Sequence, residues 1–269
     1  MIKTQKLIKY CAIVFAIFLV FNIILGIMYG VNSISNIFDD NESNVGNLKD
    51  LNINSNVQVL NVDVSSVNIT VKEGNKFKVE TNNKNINYKI DNNKLFITET
   101  KYNWFNRKDS SDLIIYVPSH LTFDNVILEN GAGKINIDEL YTKRLYLDLG
   151  AGKVKVNNLT VLNDTEIDGG AGEINITNSK INDLDLDMGI GKLSLTSKII
   201  GDSEIDAGVG ELNLNLIGSL NDYKIKLDKG IGSASINSEK MRSETYYGTG
   251  SNLIDIDGGV GSINIDFVN

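Results

Sequence analysis

The stretch DLGAGKVKV, residues 148–156, decides the fold, because its strand–glycine–strand pattern recurs along the chain. A strand that runs into Gly-x-Gly also begins many phosphate-binding loops. Such a loop needs one glycine-rich turn that leads into a helix N-terminus. No Gly-x-Gly of this chain leads into a helical pattern, so the glycines indicate architecture and not a nucleotide site.

The strand–Gly-x-Gly–strand pattern occurs seven times within residues 128–269, in steps of 19, 20, 19, 19, 22 and 29 residues. The first glycines are Gly131, Gly150, Gly170, Gly189, Gly208, Gly230 and Gly259. A repeat period in this range is typical of a solenoid, in which each repeat forms one coil.

Apolar residues occupy three fixed positions when the repeats are aligned on the first glycine. Three residues before it are Leu128, Leu147, Ile167, Leu186, Ile205, Leu227 and Ile256. Four residues after it are Ile135, Val154, Ile174, Leu193, Leu212, Ala234 and Ile263, and six after it are Ile137, Val156, Ile176, Leu195, Leu214, Ile236 and Ile265. The residues between these positions are polar, and this period-two alternation predicts strands on both sides of a glycine corner.

We therefore predict an all-β fold, a parallel β-helix or closely related β-solenoid with coils of about 19–20 residues. Neighbouring coils would stack about 4.8 Å apart. A β-sandwich is the alternative. The apolar residue between the two glycines is expected to point into the core, and it is Ala132, Ala151, Ala171, Ile190, Val209, Ile231 or Val260.

The predicted solenoid domain spans residues 51–269. Residues 128–269 hold the regular repeats, and residues 51–127 form irregular N-terminal coils and a cap. LNVDVSSVNITV at residues 60–71 has the same strand–turn–strand form with serines in place of glycines. Terminal repeats of solenoids are often atypical because they close an open core.

The N-terminus predicts a membrane anchor. Lys3, Lys6 and Lys9 precede an apolar run, and residues 10–30 are long enough for a helix to cross a bilayer. A cleaved signal peptide is the alternative, although no small-x-small cleavage site follows the run. We expect residues 1–9 in the cytoplasm, a single transmembrane helix at 10–30, a polar stalk at 31–50 and an extracellular C-terminal domain.

Charge and cysteine content exclude several classes. Residues 1–30 carry three lysines and no acid, so the net charge of −8 for the whole chain becomes −11 for residues 31–269. An acidic domain does not suit nucleic acid, whose binding requires neutralisation of phosphates. Cys11 is the single cysteine, so no disulfide is expected. No cofactor, metal or catalytic residue is predicted.

An acid stands two residues before the first glycine in every repeat: Glu129, Asp148, Asp168, Asp187, Asp206, Asp228 and Asp257. Three roles are open. The acids can serve as a catalytic carboxylate pair, as oxygen ligands for Ca²⁺, or as turn residues that accept hydrogen bonds from the N–H groups of the corner. We favour the turn role, because every coil carries the same acid and no histidine or arginine accompanies it.

Two insertions are candidate interaction loops. The first contains Trp104, Phe105 and Arg107, and the second, residues 238–252, contains Tyr246 and Tyr247. Aromatic loops on a rigid scaffold often contact sugars or proteins, but they can also cover the end of a solenoid. We expect residues 238–252 to cover the edge of the last coil.

An N-terminal anchor, VNITV at 67–71, LIIYVP at 113–118 and the repeated Gly-x-Gly-x-Ile-x-Ile follow one another in this order. Together they resemble the bacterial putative-adhesin domain family that includes LiaG-like proteins, over residues 51–269. The resemblance implies an exported or membrane-anchored β-solenoid associated with the cell envelope and its stress response. It implies no catalytic residues.

The expected function is therefore a non-enzymatic, membrane-anchored, extracytoplasmic β-solenoid with an adhesion, interaction or envelope stress-sensing role. Its expected partners are an envelope polysaccharide or a membrane or signalling protein. The alternative is a carbohydrate-active enzyme or a Ca²⁺-dependent polysaccharide binder that uses the aspartate column.

Overall fold

The computed structural model describes residues 47–53, 56–100 and 111–268. This part of the chain is all-β, as predicted, with one 3-10 turn at Leu220–Asp222. The strands are β1 (Lys49–Asp50), β2 (Val59–Val64), β3 (Asn68–Glu73), β4 (Lys78–Thr81), β5 (Ile86–Asp91), β6 (Lys94–Glu99), β7 (Asp112–Val117), β8 (Thr122–Phe123), β9 (Asn125–Ile137), β10 (Leu140–Thr142), β11 (Leu145–Asn157), β12 (Leu159–Val161), β13 (Thr165–Asn182), β14 (Leu184–Ile200), β15 (Asp202–Ile217), β16 (Tyr223–Asp228), β17 (Ile231–Ile236), β18 (Glu239–Lys240), β19 (Thr245–Tyr247) and β20 (Asn252–Val268).

The repeats stack in parallel and in register. β9, β11, β13, β14 and β15 each pair with the next along their length. Each strand continues through its glycine corner, so that one strand supplies two sides of a coil. On the third side, β10 pairs in parallel with β8 and β12. The predicted stack of similar coils is therefore confirmed for these repeats.

The core consists of the apolar columns that the sequence predicts. Every residue three positions before the first glycine is fully buried, from Leu128 to Ile256. The columns four and six positions after it are also buried, and the most exposed member is Ile236 at 8%. Burying these side chains in stacked layers is the main stabilising contribution to the domain.

The glycine corners bring neighbouring backbones into close contact. A Cβ placed on Gly210, where φ is +146°, would lie 1.7 Å from the carbonyl oxygen of Gly191 in the next coil. No side chain fits there, and this positive φ also favours glycine. The architectural interpretation of the repeat is thus supported, since the second glycine lets adjacent coils approach at the corner.

The residue between the two glycines does not point into the core, contrary to our expectation. Ile231 is 74% exposed, and its counterparts in the other coils are half-buried. The inward corner position is instead the residue before the first glycine, as at Leu149 and Met188. The bend at the corner shifts the period-two alternation, so that two consecutive residues, the first glycine and the one after it, face outward.

The C-terminal coil is not the outer edge of the solenoid, contrary to our expectation. β20 pairs with β15 on one side and with β16 and β17 on the other. Residues 238–252 do cover an edge, but it is the edge of β16 and β17, through the antiparallel strands β19 and β18. Spacing along the chain predicts sequential stacking. The coils of β15, of β16 with β17, and of β20 carry equivalent apolar columns, however, and these columns permit either order.

The N-terminal end is arranged in the same way. β2 and β3 pair directly with β9, although β4 to β8 lie between them in the chain. β6 and β7 form the outer layer on β2 and β3, and they carry the antiparallel strands β5 and β4.

In the described ranges no helix has the length and apolarity to cross a membrane. The predicted anchor at 10–30 lies outside those ranges.

Candidate functional site on the acidic face

Stacking of the coils turns the acid of each repeat into a continuous row on the outer surface. We call this row the acidic ladder, and in stacking order it comprises Asp63, Glu129, Asp148, Asp168, Asp187, Asp206, Asp257 and Asp228. Neighbours are about 4.8 Å apart along the stack. Asp63 was not predicted, because its coil has serines in place of the corner glycines, although its position in LNVDVSSVNITV matches that of the other acids.

A second acidic column lies beside the ladder. It is formed by residues two positions earlier in four successive strands, and its members are Glu166, Asp185, Glu204 and Asp255. Residues two apart in a strand face the same side of the sheet. The two columns therefore place eight carboxylates in a grid of two by four on one face, which we call the acidic face. This second column was not predicted from the sequence.

The acidic ladder does not serve the corner as a turn residue would. In the described ranges, Asp228 is the one ladder member that accepts a corner hydrogen bond, from the N–H of Gly230 at 3.2 Å. Our preferred interpretation is therefore wrong for the other members. Backbone pairing between coils continues on both sides of each corner, so the strand amide groups there bond to the next coil and not to a carboxylate.

Mutual repulsion and partial burial change the protonation of these carboxyl groups. Burial, together with the charges of Asp187 and Glu204, raises the pKa of Asp206. Burial also raises the pKa values of Asp148 and Glu166, with a further contribution from Asp168 in both cases. The face therefore holds charge at a cost in free energy, which a bound cation or proton would relieve.

Two side chains at the borders of the grid compensate part of this charge. The Tyr146 hydroxyl donates to Asp168 at 3.2 Å, and burial followed by this hydrogen bond raises the pKa of Tyr146 to about 12. At the other border, the Lys226 ammonium contacts Asp255 at 2.5 Å. The central carboxylates of the grid have no such basic neighbour in their columns.

Glu204, Asp206 and Asp257 form the tightest group on the face. One carboxylate oxygen from each lies within 4.8 Å of the others. Carboxylate oxygens at such separations suit a hard cation such as Ca²⁺, which binds oxygen at about 2.3–2.6 Å. Acid–base catalysis would need a group that differs from its surroundings. Within the described residues, neither column contains a histidine or an arginine, and His120 is exposed in a turn outside both.

The candidate interaction loops have different positions. Trp104, Phe105 and Arg107 lie outside the described residues, so their role stays a prediction. Tyr246 is 56% exposed on β19, and the Lys224 ammonium lies 4.7 Å from its ring centre. Tyr247 packs against the core, and its hydroxyl accepts a hydrogen bond from the Arg242 N–H at 2.6 Å. Tyr246 is thus available for contact, whereas Tyr247 helps to hold the end of the domain.

The alternating charges after the corner form contacts between coils. The Lys153 ammonium lies 3.7 Å from Glu173, and that of Lys192 lies 3.4 Å from Glu211. Such exposed pairs contribute about 0–1 kcal/mol each. They support register and do not form a site.

Similar solved structures include a putative cell adhesion protein from Clostridium sporogenes, with 18% identity, 82% of this chain and 98% of that chain covered, and a TM-score of 0.42. A putative adhesin from Bacteroides fragilis has 12% identity, 82% and 96% coverage, and a TM-score of 0.45. No curated protein sequence matches. The sequence profile described as Toastrack DUF4097 matches residues 52–253, so the resemblance drawn from the sequence is confirmed, and the chain belongs to this family.

Proposed function

We propose that this protein is a non-enzymatic interaction protein of the cell envelope, anchored by residues 10–30 and displaying its β-solenoid outside the membrane. The basic N-terminus followed by a long apolar run supports the anchor and its orientation. The motif order, which resembles a family of putative adhesins, and the match to Toastrack DUF4097 over residues 52–253 support an adhesin-like role. The partner is an envelope polysaccharide or a membrane or signalling protein.

The observation that carries this proposal is the uniformity of the acidic face. The same carboxylate recurs in coil after coil, at nearly constant spacing, along the stack. A catalytic site concentrates differing groups in one cleft, whereas a repetitive ligand is matched by a repetitive surface. The face therefore suits contact with an extended partner more than chemistry at one bond.

Orientation is tested by external protease on intact cells from which the wall has been removed. Residues 31–269 are expected to be degraded while the N-terminal residues stay protected. A cytoplasmic protein of the same cells provides the control for lysis. Protection of the solenoid domain would contradict the proposed location without bearing on what the domain binds.

A second candidate function is Ca²⁺-dependent polysaccharide binding. The specific observation in its favour is the convergence of Glu204, Asp206 and Asp257, with carboxylate oxygens within 4.8 Å. A cation there would neutralise the most crowded part of the acidic face and could also coordinate sugar hydroxyls. Polysaccharide binding with and without Ca²⁺ tests this candidate directly.

Binding of the full-length protein to purified envelope polysaccharide, with Ca²⁺ or with a chelator, separates the candidates. Tyr246→Ala is expected to weaken binding about tenfold or more if this residue is an anchor. Tyr88→Ala, which removes a 44% exposed tyrosine elsewhere, is the matched control. Loss of binding with chelator and in Glu204→Gln, but not in Glu129→Gln, would support the Ca²⁺-dependent candidate. Release of new reducing ends would contradict a non-enzymatic role.

A further inference from the structure

The register of β20 divides the chain into a regular stack and an insertion. Asp202 to Ile217 of β15 pair in parallel with Leu253 to Val268 of β20. Residues 218–252 lie between these two segments in the chain. In the preceding coil, where Ser197 pairs with Leu216, the equivalent connection is made by residues 199–201 alone. The long segment is therefore an insertion into the third side of one coil.

This insertion docks on the outer side of β20. Its strands β16 and β17 pair in parallel with the first and second sides of β20. Tyr223 at its start is fully buried, and its hydroxyl donates to the carbonyl oxygen of Ile217 at 2.7 Å. The Tyr223 ring also lies 6.0 Å from that of Phe267. The insertion is thus fastened to the stack by one buried aromatic and two strand ladders.

The outer edge of the insertion is broken into short pieces. β19 covers three residues of β16 in antiparallel pairing, and β18 covers two residues of β17. The Lys229 ammonium donates to the carbonyl oxygen of Gly232 at 3.1 Å. Long unpaired strands act as templates for other chains, and short strands and lysines are common protections. The edge that faces solvent therefore offers little to pair with.

The edge beneath the insertion is different. β20 is a continuous strand over both sides of its coil, with buried Ile256 and Ile265 in the core columns. Without β16 and β17 it would present a long row of unpaired backbone groups beside an open core. The core columns of β20 match those of every other coil, in this molecule or in another. A second copy of this chain therefore carries a strand edge that can pair with the edge of β20.

We infer that residues 218–252 form an edge cap, which ends the solenoid and keeps the edge of β20 from pairing with a second copy of this chain. The opposite end uses the same device. There, β3 and β9 are adjacent in the stack, although a long segment lies between them in the chain. That segment contains β6 and β7, and its antiparallel strands β5 and β4 cover their outer edges. The two insertions make the stack self-limiting.

Removal of the cap tests this inference. In the full-length protein, residues 218–252 are replaced by Ile-Ile-Gly, the sequence of residues 199–201 in the preceding coil. The variant is expected to retain its β-sheet circular dichroism and to associate with rising concentration, at least to a dimer, in light scattering. The same deletion with Ser262→Lys and Asn264→Lys, which places lysines on the freed edge, should be monomeric.

A point variant provides a second measurement in case the deletion variant does not fold. Tyr223→Ala removes the buried anchor of the cap and is expected to increase association, whereas Tyr223→Phe keeps the ring and should behave like the unmodified protein. A monomeric deletion variant with retained sheet structure would overturn the inference. So would a folded Tyr223→Ala protein that stays monomeric while hydrogen exchange shows that its cap is released.

Discussion

Asp206 and Asp228 occupy the same column of the acidic ladder but have different surroundings. Asp206 stands among Asp187, Asp257 and Glu204, and its pKa is raised by burial and by these charges. Asp228 accepts hydrogen bonds from Gly230 and Ser243, which lower its pKa. The same position of the repeat therefore holds an acid that destabilises the fold when ionised in one coil, Asp206, and an acid that stabilises it in another coil, Asp228.

Substitution of Asp206 and Asp228 is therefore expected to have opposite effects on stability. Asp206→Asn is expected to increase the free energy of unfolding at pH 7 by about 0.5 kcal/mol, the order of one relieved like-charge pair. Asp228→Asn should lower it, because the ionised acceptor of two hydrogen bonds is lost. Thermal unfolding of both variants at low salt measures the difference. If both substitutions shift the melting temperature in the same direction, the ladder does not act as described.

β20 is the element that connects the regular stack to its C-terminal cap. β16 and β17 pair with β20 and with the short strands of their own insertion. In the described chain they do not pair with β15. The order of the coils in space therefore makes β20 a support for residues that precede it in the chain.

This order yields a prediction at the scale of the element. Deletion of residues 253–269 is expected to abolish hydrogen-exchange protection in β16 and β17, because their parallel partner is gone, while β9 to β14 stay protected. Hydrogen exchange read by mass spectrometry locates the loss. Sequential stacking would give the opposite result, with β16 and β17 protected on β15.

Protonation of the whole domain follows from the balance of its carboxyl groups. Those with raised pKa values are Glu129, Asp148, Glu166 and Asp206. Between the ordinary carboxyl pKa and these raised values, the folded state binds more protons than the unfolded chain. Their contribution to the free energy of unfolding therefore decreases as pH rises through that window.

Glu80 and Glu211 act in the opposite direction. Their pKa values are lowered, mainly by hydrogen bonds from Lys78 and from Asn213 respectively. The stability that they contribute is present above the ordinary carboxyl pKa and is lost as pH falls below it.

For the whole domain we therefore predict a melting temperature that rises as pH is lowered from 7 toward the ordinary carboxyl pKa of about 4 and falls at lower pH. High salt should flatten the rise, since it screens exposed charges. Differential scanning calorimetry across this pH range measures the profile. A melting temperature that decreases steadily as pH is lowered from 7 to the ordinary carboxyl pKa would contradict the predicted effect of the acidic face.

The repeat, the buried columns and the acidic ladder of the regular coils could be predicted from the amino-acid sequence alone. These features depend on local periodicity, since alternation selects the inward residues and the second glycine admits the close approach at Gly210. Family membership was also readable from motif order. Trp104 and the anchor, by contrast, lie outside the described residues and stay predictions.

The stacking order at the ends, the place of Asp63 in the ladder and the second acidic column depend on tertiary contacts. Leu227 and Ile256 suit the same core column equally well, so the pattern does not rank the coils that contain them. Their order is set by contacts between segments that are distant in the chain, β20 with β15 and β16 with β20. The same reason explains why most acids of the ladder accept no hydrogen bond from the corner, because pairing between coils occupies the amides that the local sequence assigned to them.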